Sequence, residues 1–397
     1  MKHIGRYLIP SAVVVFAIVQ LVRPIPHPAA SLSVPPTATV PGQLHLTLPA
    51  AGQTAVMASG IGIMAATPNE KPVPIASVTK LMTAYLVLKH HPLKAGENGP
   101  SVTITANDEA TYEADAARGD SVLKVQAGET LTERQLLEGL LLPSADNIAT
   151  TLADWVDGSE PAFIKEMNQT AKQLGMNHTT YTSASGVAAT TVSTAVDQLK
   201  IAQADMAIPA LRAIVKMPEA TFPVAGTVYN VDYVLGQDGI VGVKTGSTFQ
   251  AGGCFVSARY QTVGSRKVLL LGVMLGQQGT PSPLMQALTS SAALLQQAGT
   301  NLHLETLKAD RGAYATFTTP WGETSTLSSK QVPTFIGFPG MKVRISLVPQ
   351  TTPRLPVRAG SKVVQLQMNA GRQSAVYELT TDRSIRPPSV WWRLFRV

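Results

Sequence analysis

Apolar positions are distributed along this chain in four different rhythms, and each predicts a different kind of element. The first is an uncharged run from Tyr7 to Val22, preceded by Lys2 and Arg6. It is long for the core of an export signal and short for a bilayer span, so residues 1–23 fit either a cleaved signal or a retained membrane anchor. A proline-rich tract from Pro24 to Pro41 follows, and residues 24–42 read as an extended linker.

The second rhythm is short and strand-like. "TAVMA" and "GIGIMAA", broken at Ser59-Gly60, predict two strands. The third has helical spacing. "PVPIASVTKLMTAYLVL" predicts a helix that begins near Ser77 and ends at Lys89, His90 and His91 before Pro92, where positive charge suits a helix C-terminus. Thr132 and Gln135 stand in capping-box spacing ahead of the stripe Leu136, Leu137, Leu140 and Leu141. Ile148, Leu152 and Val156 recur every four residues, and "PAFIKEMNQTAKQLGM" predicts a further helix ending near Gly175.

From about residue 239 the strand pattern returns in "GIVGVKTG", "GGCFVSARY" and "KVLLLGVML", with a turn at Gly264-Ser265 and a helix over 284–297. Strands at both ends and helices between them predict an α/β domain over 43–300, its antiparallel sheet built from both ends of the segment. The fourth rhythm is alternation. Val343, Ile345 and Leu347 alternate with Lys342, Arg344 and Ser346, and Val364, Leu366 and Met368 with Gln365 and Gln367, predicting a small all-β domain over 301–397. Its tail, "PPSVWWRLFRV", interleaves aromatics with Arg393 and Arg396; it reads either as a segment for a membrane interface or as a last element packed on the β domain.

Composition narrows the possibilities. A hydrophobic content of 45% allows one large core and a smaller one. The formal net charge of +7 suits work beside anionic membranes or wall polymers. Nucleic acid is disfavoured, because the chain has no Lys/Arg block or aromatic-basic repeat. One cysteine, Cys254, precludes an intramolecular disulfide and reads as a small core hydrophobe. Seven histidines without metal-ligand spacing argue against a zinc enzyme.

Candidate chemistry lies in three short motifs. Ser77 and Lys80 are three apart, so on a helix they share a face. A lysine buried among Leu81, Met82 and Tyr85 needs a partner or a lowered pKa, and a neutral amine beside a hydroxyl is an activated nucleophile pair. "LLLPSADN" opens a helix with Ser144, Asp146 and Asn147 after Pro143. Lys244-Thr245-Gly246 ends an apolar strand, where Lys244 can attract a carboxylate and glycine lets a substrate approach. Each motif alone is common; the three in this order are specific.

Together they resemble the serine-type D-Ala-D-Ala carboxypeptidases, the low-molecular-mass penicillin-binding proteins of peptidase family S11, whose S-x-x-K, S-D-N and K-T-G motifs are established. The resemblance extends through "GETLTERQLLEGLLLPSADN", "FIKEMNQTAKQLGM", "YTSASGV" and "GVKTGST", roughly residues 50–280. It implies a penicillin-binding-protein/β-lactamase-like transpeptidase fold and hydrolysis of the terminal D-alanine of peptidoglycan stem peptides outside the membrane. β-Lactams would act as covalent inhibitors and the tail would touch the membrane. Ser77 would be the nucleophile, Lys80 the general base and Ser144 a proton relay. Lys244 and Thr245 would hold the terminal carboxylate, and the N–H groups of Ser77 and Ser247 would form the oxyanion hole, with Gly246 between. No metal or organic cofactor is implied.

The chain departs from the family at one position. Where Ser-x-Asn is usual it has Ser144-Ala145-Asp146, with Asn147 one place later. Either Asp146 brings a negative charge to Lys80 and opposes base catalysis, or a small shift brings Asn147 into the site. A β-lactamase or DD-endopeptidase on the same scaffold, or a weakened wall-binding scaffold, are the alternative functions.

Overall fold

The computed structural model describes residues 5–349 and 354–396. These divide into two compact units, 44–303 and the remainder.

In the unit 44–303, one five-stranded antiparallel sheet has the order Ile240–Thr248, Gly252–Val263, Arg266–Gln277, Gln53–Ala58, Gly62–Ala66. The sheet is thus closed by strands from both ends of the segment, with Gly272 opposite Val56 and Val273 opposite Ala55. Pro283–Thr300 packs along the two long strands, burying Leu288, Leu294 and Leu295. Between the two groups of strands lie the helices. Lys80–His90 buries Leu81, Met82, Leu86 and Leu88 in the same cluster as Leu136, Leu137 and Leu140 of Glu133–Leu141 and Ile148 and Leu152 of Asp146–Asp157. Thr132 and Gln135 form the reciprocal capping box that their spacing predicts. Cys254 is buried opposite Gly246, and burial pushes its thiol up to about 12, so it is inert.

The helices Ala106–Arg118, Ala195–Asp205 and Pro209–Val215 stand outside the periodicity argument, the first most clearly. The only buried residue of Ala106–Arg118 is Asp115, and this helix is defined by its ends: a Thr105/Asp108 capping box and a left-handed Gly119.

In the other unit, a seven-stranded sheet has the order Ala29–Leu32, Ala313–Thr318, Thr324–Ser328, Gln373–Thr381, Lys362–Ala370, Lys342–Pro349, Thr37–Thr39. The proline-rich tract is therefore not a free linker. It supplies both edge strands, pairing Ser31 with Thr316 and Ala38 with Val343. Edges tolerate proline because one side of an edge strand has no ladder to donate to. Val34 and Val40 are buried, and the carbonyl of Pro36 accepts from Ile345 N–H at 2.9 Å.

The tail forms a short helix, Val390–Phe395, capped by Ser389. Arg393 donates to the carbonyl of Leu21, and Arg396 to those of Gln20 and Pro24 at 3.1 and 2.9 Å. The Gln20 and Leu21 carbonyls lie in the last turn of the apolar Gly5–Val22 helix, where carbonyls run out of intrahelical donors and positive charge is favourable. No helix among the described residues is long and apolar enough to cross a membrane.

Candidate active site

The turn that carries Ser77 begins under strain. Ala76 has φ +47°, a left-handed conformation unfavourable for a residue with a Cβ, and a short 3-10 turn over Ala76–Thr79 leads from it into the Lys80–His90 helix. Two contacts hold it. Thr79 Oγ1 donates to the Ala76 carbonyl at 2.8 Å, and Gly186 packs so closely that an added Cβ would lie 2.0 Å from the same oxygen. The segment around Gly186 also receives Thr83 Oγ1, which donates to the Ala184 carbonyl at 2.6 Å.

Lys80 lies one helical step on and is fully buried. Its Nζ has three neighbours: Ser77 Oγ at 2.7 Å, Asp146 Oδ1 at 2.5 Å and the carbonyl of Ser185 at 3.0 Å. A neutral amine has two N–H donors and one lone pair. Asp146 and the Ser185 carbonyl accept only, so they take the two N–H groups, and the lone pair is left facing the Ser77 hydroxyl. Burial lowers the pKa of Lys80, while Asp146, and more weakly Asp120 and Asp115, oppose the shift; the net direction is down. The pair therefore meets the geometric requirement for a general base acting on a serine.

Asp146 is thus the group in contact with Lys80. Its N–H is anchored to the Ser121 carbonyl at 2.7 Å, and it begins the Asp146–Asp157 helix, where an acid is favourable. Asn147 is turned away. Its Oδ1 accepts from Leu123 N–H at 3.0 Å and its Nδ2 donates to the Leu123 carbonyl at 2.9 Å, so its amide fastens the 121–125 segment rather than facing substrate. The expectation that Asn147 could enter the site is corrected by this contact, which a shift would break in a buried place. Toward Lys80 the departure from Ser-x-Asn exchanges one oxygen acceptor for another, with an added charge.

Ser144 is in a left-handed conformation, φ +69°, and 5% exposed; its Oγ has no hydrogen-bond partner among the described residues. Lys244 is 1% exposed, and its Nζ is likewise unpartnered. Burial drives the Lys244 pKa well down, Lys80 lowers it further whenever it is protonated, and Asp146 and Asp232 act against both. Buried polar groups are rarely left unpaired, so the Ser144 hydroxyl and the Lys244 amine are candidates for holding a polar ligand group.

Lys244 and the buried Thr245 lie on the strand Ile240–Thr248. At Gly246 that strand abuts the Ser77 turn: a Cβ there would be 2.9 Å from Ser77 N and 3.0 Å from Val78 N, so glycine is required by proximity. Ser247, the next residue, is exposed. The structure therefore brings Ser77, Lys80, Asp146 and Gly246 into contact and sets Lys244 within electrostatic reach of Lys80.

Several groups here escape sequence reasoning. The Ser185 carbonyl and the Gly186 approach depend on backbone position, which no motif encodes. Asp115 and Asp120 add negative charge near Lys80, and Arg118 ties the two together, bonding Asp120 at 2.9 Å. His90, Asp157 and Glu166 could offer ligand atoms within 4.8 Å of one another, but Glu166 is already paired with Lys89 at 2.9 Å and with His90.

Residues 49–278, more than half of the chain, match the family model described as Peptidase_S11, D-alanyl-D-alanine carboxypeptidase. The chain belongs to this D-alanyl-D-alanine carboxypeptidase family. A D-alanyl-D-alanine endopeptidase of Pseudomonas aeruginosa is 33% identical over 236 residues, 57% of this chain and 72% of the relative. The D-alanyl-D-alanine carboxypeptidase DacB2 of Mycobacterium tuberculosis is 34% identical over 223 residues, 54% and 72% of the two chains. Among solved structures, penicillin binding protein 5 from Haemophilus influenzae aligns with a TM-score of 0.60 at 21% identity, covering 88% of this chain and 100% of that one. The fold is accordingly that of the penicillin-binding-protein DD-peptidases.

Within this family arrangement the role of the Asp146 charge is measurable. Asp146→Asn keeps an acceptor for Lys80 but removes an anion, so the Lys80 pKa falls further and the amine is neutral at lower pH. The acid limb of the pH profile for covalent labelling by penicillin should move to lower pH. Asp146→Ala, which leaves a buried N–H unpaired, should cost about 1–3 kcal/mol of stability, read as a lower midpoint of denaturant unfolding. An acid limb that stays in place or moves up in Asp146→Asn would contradict this assignment.

Proposed function

We propose that Ser77 is the nucleophile of a serine-type D-Ala-D-Ala carboxypeptidase that removes the terminal D-alanine from peptidoglycan stem peptides. The observation that carries the reading is the Lys80 amine, 2.7 Å from Ser77 Oγ with its other two neighbours both acceptors. Lys80 takes the proton as Oγ attacks the carbonyl between the two D-alanines. The N–H groups of Ser77 and Ser247 hold the oxyanion, each contributing on the order of 3 kcal/mol. Ser144 relays the proton held by Lys80 to the leaving nitrogen, which restores the neutral amine, and D-alanine departs. Lys244 and Thr245 grip its carboxylate, which accounts for the unpartnered Nζ. Water then hydrolyses the ester on Ser77. A β-lactam, an amide with a nearby carboxylate, acylates the same hydroxyl and leaves slowly.

A DD-endopeptidase activity is the second reading, supported by the name of the Pseudomonas aeruginosa relative. Cleavage of cross-linked dimers, rather than release of free D-alanine, distinguishes it.

This chemistry is carried out beyond the cytoplasmic membrane, where the substrate lies, and the chain stays at the membrane surface. Support comes from the Gly5–Val22 helix, which exposes Val13, Phe16, Ile18 and Val22 beside Arg23, Arg393 and Arg396. Trp391 and Phe395 of the tail are stacked and exposed next to the same arginines. An apolar helix rimmed by arginine and tryptophan suits an anionic interface.

Incubation with a D-Ala-D-Ala peptide should release D-alanine, and peptide mapping after penicillin labelling should find the adduct on Ser77. Ser77→Ala should lose both, with turnover falling by more than about a thousandfold. No release together with no adduct would end the proposal. The full chain should co-sediment with phosphatidylglycerol vesicles, and Arg393→Ala with Arg396→Ala should weaken binding about thirtyfold, at roughly 1 kcal/mol per arginine. Equal binding by the variant would remove the tail from the membrane surface.

A further inference from the structure

One of the two acceptors that hold Lys80 is a backbone carbonyl, that of Ser185, and the chain over 181–188 forms neither helix nor strand. A carbonyl on such a segment keeps its direction only where other groups fix the peptide planes around it. Side chains outside the reacting set do so. Ser183 Oγ accepts from Gly186 N–H at 2.9 Å. That N–H and the Ser185 carbonyl belong to one planar trans peptide and point in opposite directions, so holding the first aims the second. One residue back, Ala184 is fixed at both ends. Its N–H donates to Glu160 Oε1 at 2.9 Å, and its carbonyl accepts from Thr83 Oγ1 at 2.6 Å. Further upstream, Asn168 makes a reciprocal pair with Tyr181, accepting its N–H at 2.9 Å and donating to its carbonyl at 2.8 Å.

Glu160 brings a carboxylate to this set. It opens the helix Glu160–Gln173, which only Gly158 and Ser159 separate from the Asp146–Asp157 helix. Thr83 lies three residues beyond Lys80 on the Lys80–His90 helix. The helix that begins with one acceptor of Lys80 therefore leads straight to the residue that fixes the segment bearing the other. A carboxylate holds an N–H about twice as strongly as a neutral acceptor does. Ala184 is fully buried, so losing either bond strands a backbone group away from water.

We propose that Glu160 and Thr83 are positioning residues for the general base: by clamping Ala184 they keep the Ser185 carbonyl on one N–H of Lys80 and the lone pair of the amine on Ser77. The inference rests on the reading that Lys80 is the base for Ser77. Neither residue touches a reacting atom. Without the clamp the carbonyl swings off Lys80, and the amine loses both a contact that orients it and an acceptor that favours its protonated form. Acylation slows, and Lys80 becomes neutral at lower pH.

Single-turnover labelling of Ser77 by penicillin, followed against pH in the full chain, tests the clamp in wild type, Glu160→Ala, Thr83→Val, Thr83→Ser and Lys80→Met. The final extent of labelling counts folded chains, so the rate refers to these alone. In Glu160→Ala and Thr83→Val the plateau rate should fall about tenfold, as expected of a base displaced by a fraction of an ångström. The acid limb should move to lower pH by about half a unit in both. Thr83→Val alters no charge, so its shift reports geometry. Thr83→Ser, which keeps the hydroxyl, should recover most of the rate lost in Thr83→Val. If Glu160→Ala does not fold, Glu160→Gln replaces it; it keeps an oxygen for the Ala184 N–H and should show a smaller change of the same sign. Wild-type rate and limb in these variants, or a slower plateau with an unmoved limb, would overturn the role of the clamp. Lys80→Met separates the two levels. If it is labelled as fast as wild type, the general-base reading fails and this inference with it. If it loses labelling while Glu160→Ala and Thr83→Val behave as wild type, only the inference fails.

Discussion

Burial of one amine governs the arrangement of this molecule. Lys80 can lie inside an apolar helix face only if its N–H groups find acceptors, and the two it finds, Asp146 and the Ser185 carbonyl, come from segments distant in sequence. Satisfying that requirement fixes the start of the Asp146–Asp157 helix and the course of the 183–187 segment. It also aims the lone pair at Ser77. The same contacts that make the burial tolerable make the serine reactive, so stability and chemistry at this point cannot be separated.

The rest of the site follows from charge in a dry place. Lys80 and Lys244 are both buried, and Asp146 is in contact with Lys80. Gly246 and Gly186 then let the strand and the 183–187 segment press against the Ser77 turn from different sides, closer than any side chain would allow. The strain at Ala76 persists because these neighbours leave the turn no room to relax.

Much of this was legible from residue order. The three-residue spacing of Ser77 and Lys80, the alternation after residue 340 and the strands at both ends of the main unit all express periodicities that local geometry enforces. What was not legible depends on partners. The Ala106–Arg118 helix buries too little apolar surface to produce a stripe, although Thr105, Asp108 and Gly119 marked its ends. The proline-rich tract became two edge strands because a neighbouring sheet had open edges to fill. Asn147 stood as an alternative to Asp146 that needed a small shift, and its amide is instead bonded to the Leu123 backbone. Ser185 contributes a backbone carbonyl, and no residue type announces that.

The central claim, an uncharged Lys80 facing Ser77, is open to direct reading by 15N-lysine NMR of the full chain, with the Lys80 Nζ signal assigned by its loss in Lys80→Met. The account predicts a titration midpoint well below the ordinary lysine value of about 10.4, and loss of the coupled hydroxyl signal when Ser77 is acylated. A Lys80 that stays protonated throughout the pH range in which Ser77 is acylated would contradict it.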